Sequence, residues 1–431
     1  MSEKTMEKKS SSWKTMLIVM SAVQGIMMLA FTSASPFLAL YIEQLGVHDM
    51  NKVDIWSGVI QCSTPLFAAL VSPIWGSLSD RTGRKMMVLR STIAIAFFNV
   101  LVGFSQNTWE LLGLRAMQGA FSGFSAAAIA LVSTAIPEEK LGFALGWTQS
   151  AGMVGSLAGP LVGGFLADTV HSYRAVFYLT SLFAVAAFLV TLIFVKEEFP
   201  GKQAAGKRKM SLAGQFRAVK ELKSVHTMFL VLFITQFSVM SVQPVLPVFM
   251  KELMSGTTGL LGTIAGVAFS VTGLADLIAS PFLGKRSDQL GYRRVLTICM
   301  TGAGLFYLPQ ALAPNIWVFI ASRFGLGLFI GGILPTANAL VGRLTPAHQR
   351  GQVFGLTSSA TFLGSFAGPL LGGFGSAALG IRWMLGITSM LYLLNMLWVR
   401  LKVKDPVAVK ASAGTVPKQA GRASRTVERF R

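Results

Sequence analysis

Twelve stretches of the chain are long and apolar enough to cross a bilayer, and no other feature constrains the fold as much. A crossing helix needs roughly 20 mostly apolar residues to cover a hydrocarbon core about 30 Å thick. The first six stretches cover 15–40, 55–78, 86–105, 109–134, 142–167 and 174–195. The second six cover 227–250, 259–283, 294–312, 316–341, 351–376 and 381–400. They lack the alternation of barrel strands and are apolar on both faces, unlike an amphipathic surface helix. Charged residues make up only 13% of the chain, about half the share of a soluble domain. That excludes a water-facing globule and a soluble enzyme. Hydrophobic types at 52% exclude intrinsic disorder, and two cysteines exclude a disulfide scaffold.

The few charges are unevenly placed. Lys and Arg number 38 against 18 Asp and Glu, a net charge of +20. Thirty of the 38 share one side of the membrane if both termini are cytoplasmic. They lie in 1–14, in the loops after spans two, four, eight and ten, in 196–226 and in 402–431. The other side holds Lys52, Arg174, Lys251 and Arg382. Positive residues collect on the cytoplasmic side, so both termini are expected there. Charge spread over seven segments is no nucleic-acid footprint, and no nucleic-acid partner is expected. Lys8, Lys9 and Lys14 precede an apolar run as in a signal peptide. The run exceeds the length of an h-region and reads as a first span. Cys62 and Cys299 fall inside spans and read as small buried apolar residues. The scattered His48, His171, His226 and His348 offer no metal-ligand spacing, and neither metal nor cofactor is expected.

The second half repeats the first. At an offset of 208, Pro36, Gly58, Pro73, Gly76, Asp80, Gly83, Arg115 and Gly119 match Pro244, Gly266, Pro281, Gly284, Asp288, Gly291, Arg323 and Gly327. At 209, Gly155, Gly159, Pro160, Gly163 and Gly164 match Gly364, Gly368, Pro369, Gly372 and Gly373. The chain therefore divides into a cytoplasmic segment 1–14, a six-helix bundle 15–195, a basic linker 196–226, a second bundle 227–401 and a basic tail 402–431 expected to be disordered. A short surface helix fits 211–223 in the linker. Two parallel six-helix repeats about an axis along the membrane normal are one plan of secondary transporters. Two similar halves around a midplane site can rock between states open to either side.

The loop after span two reads Gly76-Ser-Leu-Ser-Asp80-Arg81-Thr-Gly83-Arg84-Lys85. So tight a return calls for a positive φ, and Gly83 supplies it without strain. Asp80 sits at a helix C-terminal end, where a carboxylate needs a partner. With its repeat at Asp288 and Gly291, the loop reads as a conformational latch. This segment resembles motif A of the major facilitator superfamily. Leu114-Arg115-Ala-Met-Gln118-Gly119 is similar to motif B, and Gly155-Ser-Leu-Ala-Gly159-Pro160-Leu-Val-Gly163-Gly164 to motif C, of its twelve-span drug:proton antiporters. The resemblance covers 15–400. It implies an all-α polytopic membrane protein, with twelve transmembrane helices in two pseudo-symmetric six-helix bundles. It further implies a bacterial inner membrane, a role in proton transfer for Arg115, and a tight motif C contact that seals against leak. The equivalent Gly-Pro-Gly-Gly pattern in the second half marks part of motif C as duplicated helix packing.

Acids inside spans are scarce. Asp276 lies about eight residues from the cytoplasmic end of span eight, about 12 Å deep, and its first-half counterpart is Ala68. An unduplicated intramembrane acid is a functional candidate. Glu43, at the outer end of span one, is the second candidate for proton coupling. Gln24, Phe31, Gln61, Gln149, Gln236, Phe237, Gln243 and Asn338 are expected to face an apolar, amide-bearing cavity suited to small amphiphilic molecules. The expectation is a proton-driven exporter of such compounds, working as a monomer. The alternatives are a dedicated exporter of a siderophore or sugar, an importing symporter, or a non-transporting scaffold whose tail binds a partner or anionic lipid.

Overall fold

The structure, a computed structural model, describes residues 3–195, 197, 223–254, 258–345 and 350–403. The expected linker helix at 211–223 and nearly all of the basic linker and tail lie outside the described residues. The first half runs α1 (Glu3–Ala34), α2 (Leu38–Gln44), α3 (Met50–Thr82), α4 (Arg84–Phe104), α5 (Thr108–Ala120), α6 (Phe124–Ala135), α7 (Glu138–Val170) and α8 (Tyr173–Phe194). The second runs α9 (Lys223–Val242), α10 (Leu246–Leu253), α11 (Leu261–Leu290), α12 (Tyr292–Ala311), α13 (Ile316–Ile330), α14 (Ile333–Leu344), α15 (Arg350–Leu379) and α16 (Ile381–Lys402).

Four of the expected spans are broken, and the breaks repeat. A 3-10 turn at Ser35–Phe37 with Pro36 separates α1 from α2, and Pro244 lies in the turn between α9 and α10, which meet at 45°. Gly123, at φ 108°, opens α6, while Gly331 and Gly332 join α13 to α14. Caps repeat as well. Asn107 accepts from the Glu110 amide at 2.9 Å. Its counterpart Asn315 accepts from Trp317 and Val318 at 3.1 and 3.0 Å. Gly83 and Gly291 end α3 and α11 at φ 93° and 91°.

Among the described residues, ten stretches are long and apolar enough to span a membrane, and the bent α9–α10 pair makes an eleventh. The chain is a polytopic membrane protein. The stretch expected at 294–312 forms α12, which is 20 residues long. Arg293, Arg294, Thr297, Thr301 and Gln310 lower its apolar character.

Water drives no helix association inside a bilayer, so small residues that allow close approach do the work. α7 shows how one sequence motif serves two faces. A Cβ on Gly155, Gly159 or Gly163 would strike the backbone of Gly25, Leu29 or Ser33 on α1. These glycines are four apart and share one helix face. On the next face, Pro160 and Gly164 meet Gly266 and Gly262 of α11, in the other half. α15 repeats this. Gly364, Gly368 and Gly372 lie against Phe233, Phe237 and Ser241 of α9, while Pro369 and Gly373 meet Gly58 and Asp54 of α3. Two seams, α7 with α11 and α3 with α15, therefore join the halves. Each half also keeps its own apolar core, around Met20, Val88 and Leu131 and around Phe249, Tyr307 and Tyr392.

Candidate functional site

Among the described residues, the contacts between the halves gather at one end of the seams. That end carries α2 and α10, opposite the glycine turns at Gly83 and Gly291. Here Lys251 of α10 forms an ion pair with Glu43 of α2; the two positions are equivalent under the repeat. Phe37 and Leu40 join the core of the second half, while Val248, the equivalent of Leu40, packs against the first. Asp168 of α7 accepts from the Gly262 and Thr263 amides at 2.8 and 2.6 Å, capping the start of α11. At the other seam, Ser376 of α15 donates to Asp54 of α3 at 2.5 Å. Toward the glycine turns the seams part. The last cross-half contacts include Ser270 donating to the Leu157 carbonyl at 2.7 Å. Beyond them, Gly76, Gly142, Gly146 and Gly355 have no neighbour within 4 Å of an added Cβ.

Asp276 lies where the halves part. Its backbone and Oδ1 both sit 2.7 Å from the place of a Cβ on Gly331, at the break between α13 and α14. It is half-buried, and among the described residues no charged side chain pairs with it. The corresponding break in the first half is built differently. Trp75 donates to the Ala120 carbonyl at 2.7 Å, and Arg90 donates to Ser122 at 2.9 Å. The Arg90 guanidinium stacks 3.5 Å from the Trp75 ring centroid. The carbonyls freed at the end of α5 are thus capped by a cation and an indole.

Arg115 turns into its own half. It donates to Gln118 at 3.1 Å, which donates to Asn99 at 3.2 Å, and it lies over Phe177 at 5.3 Å. Its Nε is buried without a partner. Arg323, only 7% exposed, lies over Phe269 at 5.1 Å.

The residues expected to line a cavity make contacts of several kinds. Gln24 is buried on α1 against Gly152 of α7, and its Oε1 lacks a partner. Gln61 donates to Ser35 at 3.1 Å, and Gln236 donates to Ser365 at 3.0 Å. Phe31 packs against the first core, Phe237 against Phe233, and Gln243 is half-buried in the α9–α10 turn. Gln149 and Asn338 are exposed.

The motif A loops are tied within their own halves. Arg84 donates to the Ala130 carbonyl at 3.0 Å and Lys85 to Leu192 at 3.0 Å, both near helix C-terminal ends. Arg81 is exposed, and the side chain of Asp80 lies outside the described residues. Glu197 caps α4 through the Arg84 and Lys85 amides at 2.9 and 2.8 Å. In the second half, Asp288 accepts from Tyr292 and from Arg343, the latter at 3.2 Å.

Sequence reasoning missed Asp54, Asp168 and Glu197. Asp54 and Asp168 each fall one residue outside an expected span, at 55–78 and 142–167. Lys251 was legible, because it stands 208 positions after Glu43.

A duplicated bundle with two Gly-Pro seams closed at one end invites comparison with known transporters. The family profile of the Major Facilitator Superfamily matches residues 20–261 and 228–429. The chain is 37% identical over 400 residues to "Multidrug resistance protein MdtG" of Proteus mirabilis (strain HI4320), covering 92% of this chain and 98% of that one. It is 38% identical over 384 residues to the protein of the same name from Rahnella sp. (strain Y9602), covering 89% and 92%. A bacterial homolog of the human lysosomal transporter Spinster, solved inward-facing and occupied, superposes at TM-score 0.75 with 13% identity, covering 91% of this chain and 97% of that one. The human organic anion transporter MFSD10 superposes at 0.66 with 18% identity, covering 90% and 99%. The chain belongs to the Major Facilitator Superfamily.

Proposed function

We propose that the chain is a proton-coupled exporter of small amphiphilic compounds, a drug:proton antiporter of twelve spans in a bacterial inner membrane. Its relatives are named for multidrug resistance. Six helices per half require α12 to cross, and its place as the repeat of α4 supports that (Tyr292 stands 208 after Arg84). The positive residues gathered at the glycine-turn end make that end cytoplasmic, with both termini there. The observation that carries the mechanism is the one-sided closure of the seams. The halves meet from Glu43–Lys251 to Ser270–Leu157 and part beyond, an inward-open arrangement.

Alternating access then has a physical course. The cytoplasmic ends of α3, α7, α11 and α15 approach as the outer seams open. The motif A groups Gly76, Asp80, Arg81, Gly83, Arg84, Lys85, Asp288 and Gly291 lie at those ends, and act as the latch once the ends meet. Motif C, through Gly155, Gly159, Pro160, Gly163 and Gly164, is the rigid rail on which α7 holds α1 while α11 moves. Asp276 takes a proton and releases it inward, being the acid that faces the break in span ten. Arg115, with Gln118 and Asn99, carries the buried positive charge against which the first half senses that exchange. Gln24, Phe31, Gln61, Gln149, Gln236, Phe237, Gln243 and Asn338 are the residues to scan for substrate contact. The protein works as a monomer and needs no cofactor, since the proton gradient supplies the energy.

The test is efflux from inverted vesicles driven by an imposed pH gradient. Asp276→Asn is expected to abolish gradient-driven transport while substrate binding persists, and Arg115→Ala to reduce it at least tenfold. Full coupled transport by both variants rejects the assignment. A growth panel of diverse inhibitors, set against accumulation of one secreted product, separates broad export from a dedicated metabolite route.

A further inference from the structure

The two outer seams are equivalent in backbone and opposite in chemistry. At the α7–α11 seam the carboxylate of Asp168 is fully used, with two amide donors. Position 262, where those amides begin, is the repeat of position 54. At the α3–α15 seam that position holds the carboxylate itself. Asp54 is 8% exposed, receives one hydroxyl donor from Ser376 on Oδ2, and leaves Oδ1 buried with no partner. One turn further along, the Ser57 hydroxyl is also buried and unpartnered.

No cation answers this acid among the described residues. The far part of α15 has no charged side chain; its Arg350 stands at the other end. On α3, Lys52 is exposed and lies 3.9 Å from Asp49, and Arg81 lies at the opposite end of the helix. On α5, Glu110 bonds Gln106 and Asn107, and Arg115 bonds Gln118. On α2, Glu43 pairs with Lys251. On α4, Arg84, Lys85 and Arg90 bond the carbonyls of Ala130, Leu192 and Ser122. An ionised carboxylate sealed in such a place loses its water and gains one neutral donor, a poor exchange. A carboxylic acid there needs far less.

We infer that Asp54 is a second proton-binding site, distinct from Asp276, loaded from the outer side as the α3–α15 seam closes and emptied to the same side as it opens. The inference rests on the reading of this chain as an alternating-access transporter. The seam seals Asp54 away from the cytoplasmic opening, so its proton returns to the side it came from. It sets how closure depends on outer pH without adding to the protons carried per substrate. Asp168, held by amides rather than by a proton, sets no such dependence.

The test is a distance measurement on the full chain in nanodiscs, in sodium-free buffer and with no substrate. Spin labels at His48 and Leu312, exposed on opposite halves near the closed end, are followed by pulsed electron resonance from pH 5 to 9. In the parent chain the short, closed distance gives way to a longer one as pH rises. Asp54→Asn, which keeps the shape of the acid form, holds the short distance across the range. Asp54→Glu retains a pH-dependent transition at a shifted midpoint and guards against a variant that fails to fold. Asp276→Asn keeps a pH-dependent transition between the two distances whatever its midpoint, so loss of coupled transport by Asp276→Asn and loss of the transition by Asp54→Asn are separate results. A pH-independent distance in the parent chain, an unchanged midpoint in Asp54→Asn, or a response to sodium in place of pH overturns the inference.

Discussion

The breaks in spans four and ten occupy equivalent places and carry opposite charges. In the first half, Arg90 and Trp75 cover the carbonyls that α5 leaves free. In the second, glycines tighten the same turn and an uncompensated acid, Asp276, lies against it. The duplication thus conserves the scaffold, meaning breaks, caps and glycine seams. The chemistry sits where duplication fails. A cation bound to carbonyls is a structural solution, because it satisfies groups that the membrane would leave bare. An acid without a partner is costly to keep, and such residues persist in membranes for function.

The largest effects should come from the shared scaffold, and should be alike in both halves. Gly163→Leu drives a side chain into the backbone of Ser33, and Gly372→Leu into that of Ser241. Each is expected to lower stability by more than the ~1–3 kcal/mol of ordinary overpacking, because backbone cannot step aside. Thermal unfolding in detergent and vesicle efflux should fall together for both. Gly142→Ala and Gly355→Ala, which meet open space, should stay within ~0.5 kcal/mol of the parent chain. A deep loss in one half with none in the other breaks the equivalence.

The two breaks should separate next, and by kind of effect. Arg90→Leu strips a carbonyl cap and a stacked cation, so melting should drop by the equivalent of ~1–3 kcal/mol. Asp276→Asn removes a charge and keeps the shape, so melting should hold or rise while coupled transport is lost. If Arg90→Leu leaves stability intact and abolishes transport, the first break is functional too, and the division between scaffold and chemistry fails.

Much of this was legible in the chain. Offsets of 208 and 209 relate Pro36 to Pro244 and Gly164 to Gly373, and those residues lie at the breaks and seams of both halves. Hydropathy delimited most helices because lipid leaves so few alternatives. It failed at their ends. α3 and α7 each run 33 residues, about 50 Å at 1.5 Å per residue, and so project beyond a core about 30 Å thick. Asp54 and Asp168 stand on those projecting turns, where polar residues read as loop. The cavity residues were harder still. An amide on an apolar helix looks the same whether it faces a substrate or another helix, and Gln61 and Gln236 spend their amides on Ser35 and Ser365.

The smallest effect concerns a contact that the repeat makes with itself. Glu43 and Lys251 are equivalent positions, and their ion pair spans the axis relating the halves. Both side chains keep partial access to solvent, at 21% and 41%, so water competes for the charges. A pair with this partial access to water contributes on the order of 1 kcal/mol. Glu43→Gln should therefore shift the balance between open and closed outer ends by no more than about fivefold, visible in the same label distances and weaker at high salt. The double exchange of Glu43→Lys with Lys251→Glu puts the same charges in each other's places across a near-symmetric axis, and should restore the parent balance. Failure of the exchange to restore it, with each single variant behaving normally, would mean that the outer ends of the halves differ in surroundings despite their shared fold. Loss of coupling in Glu43→Gln beyond that fivefold range would return Glu43 to the proton pathway and place a third acid beside Asp276 and Asp54 in the cycle.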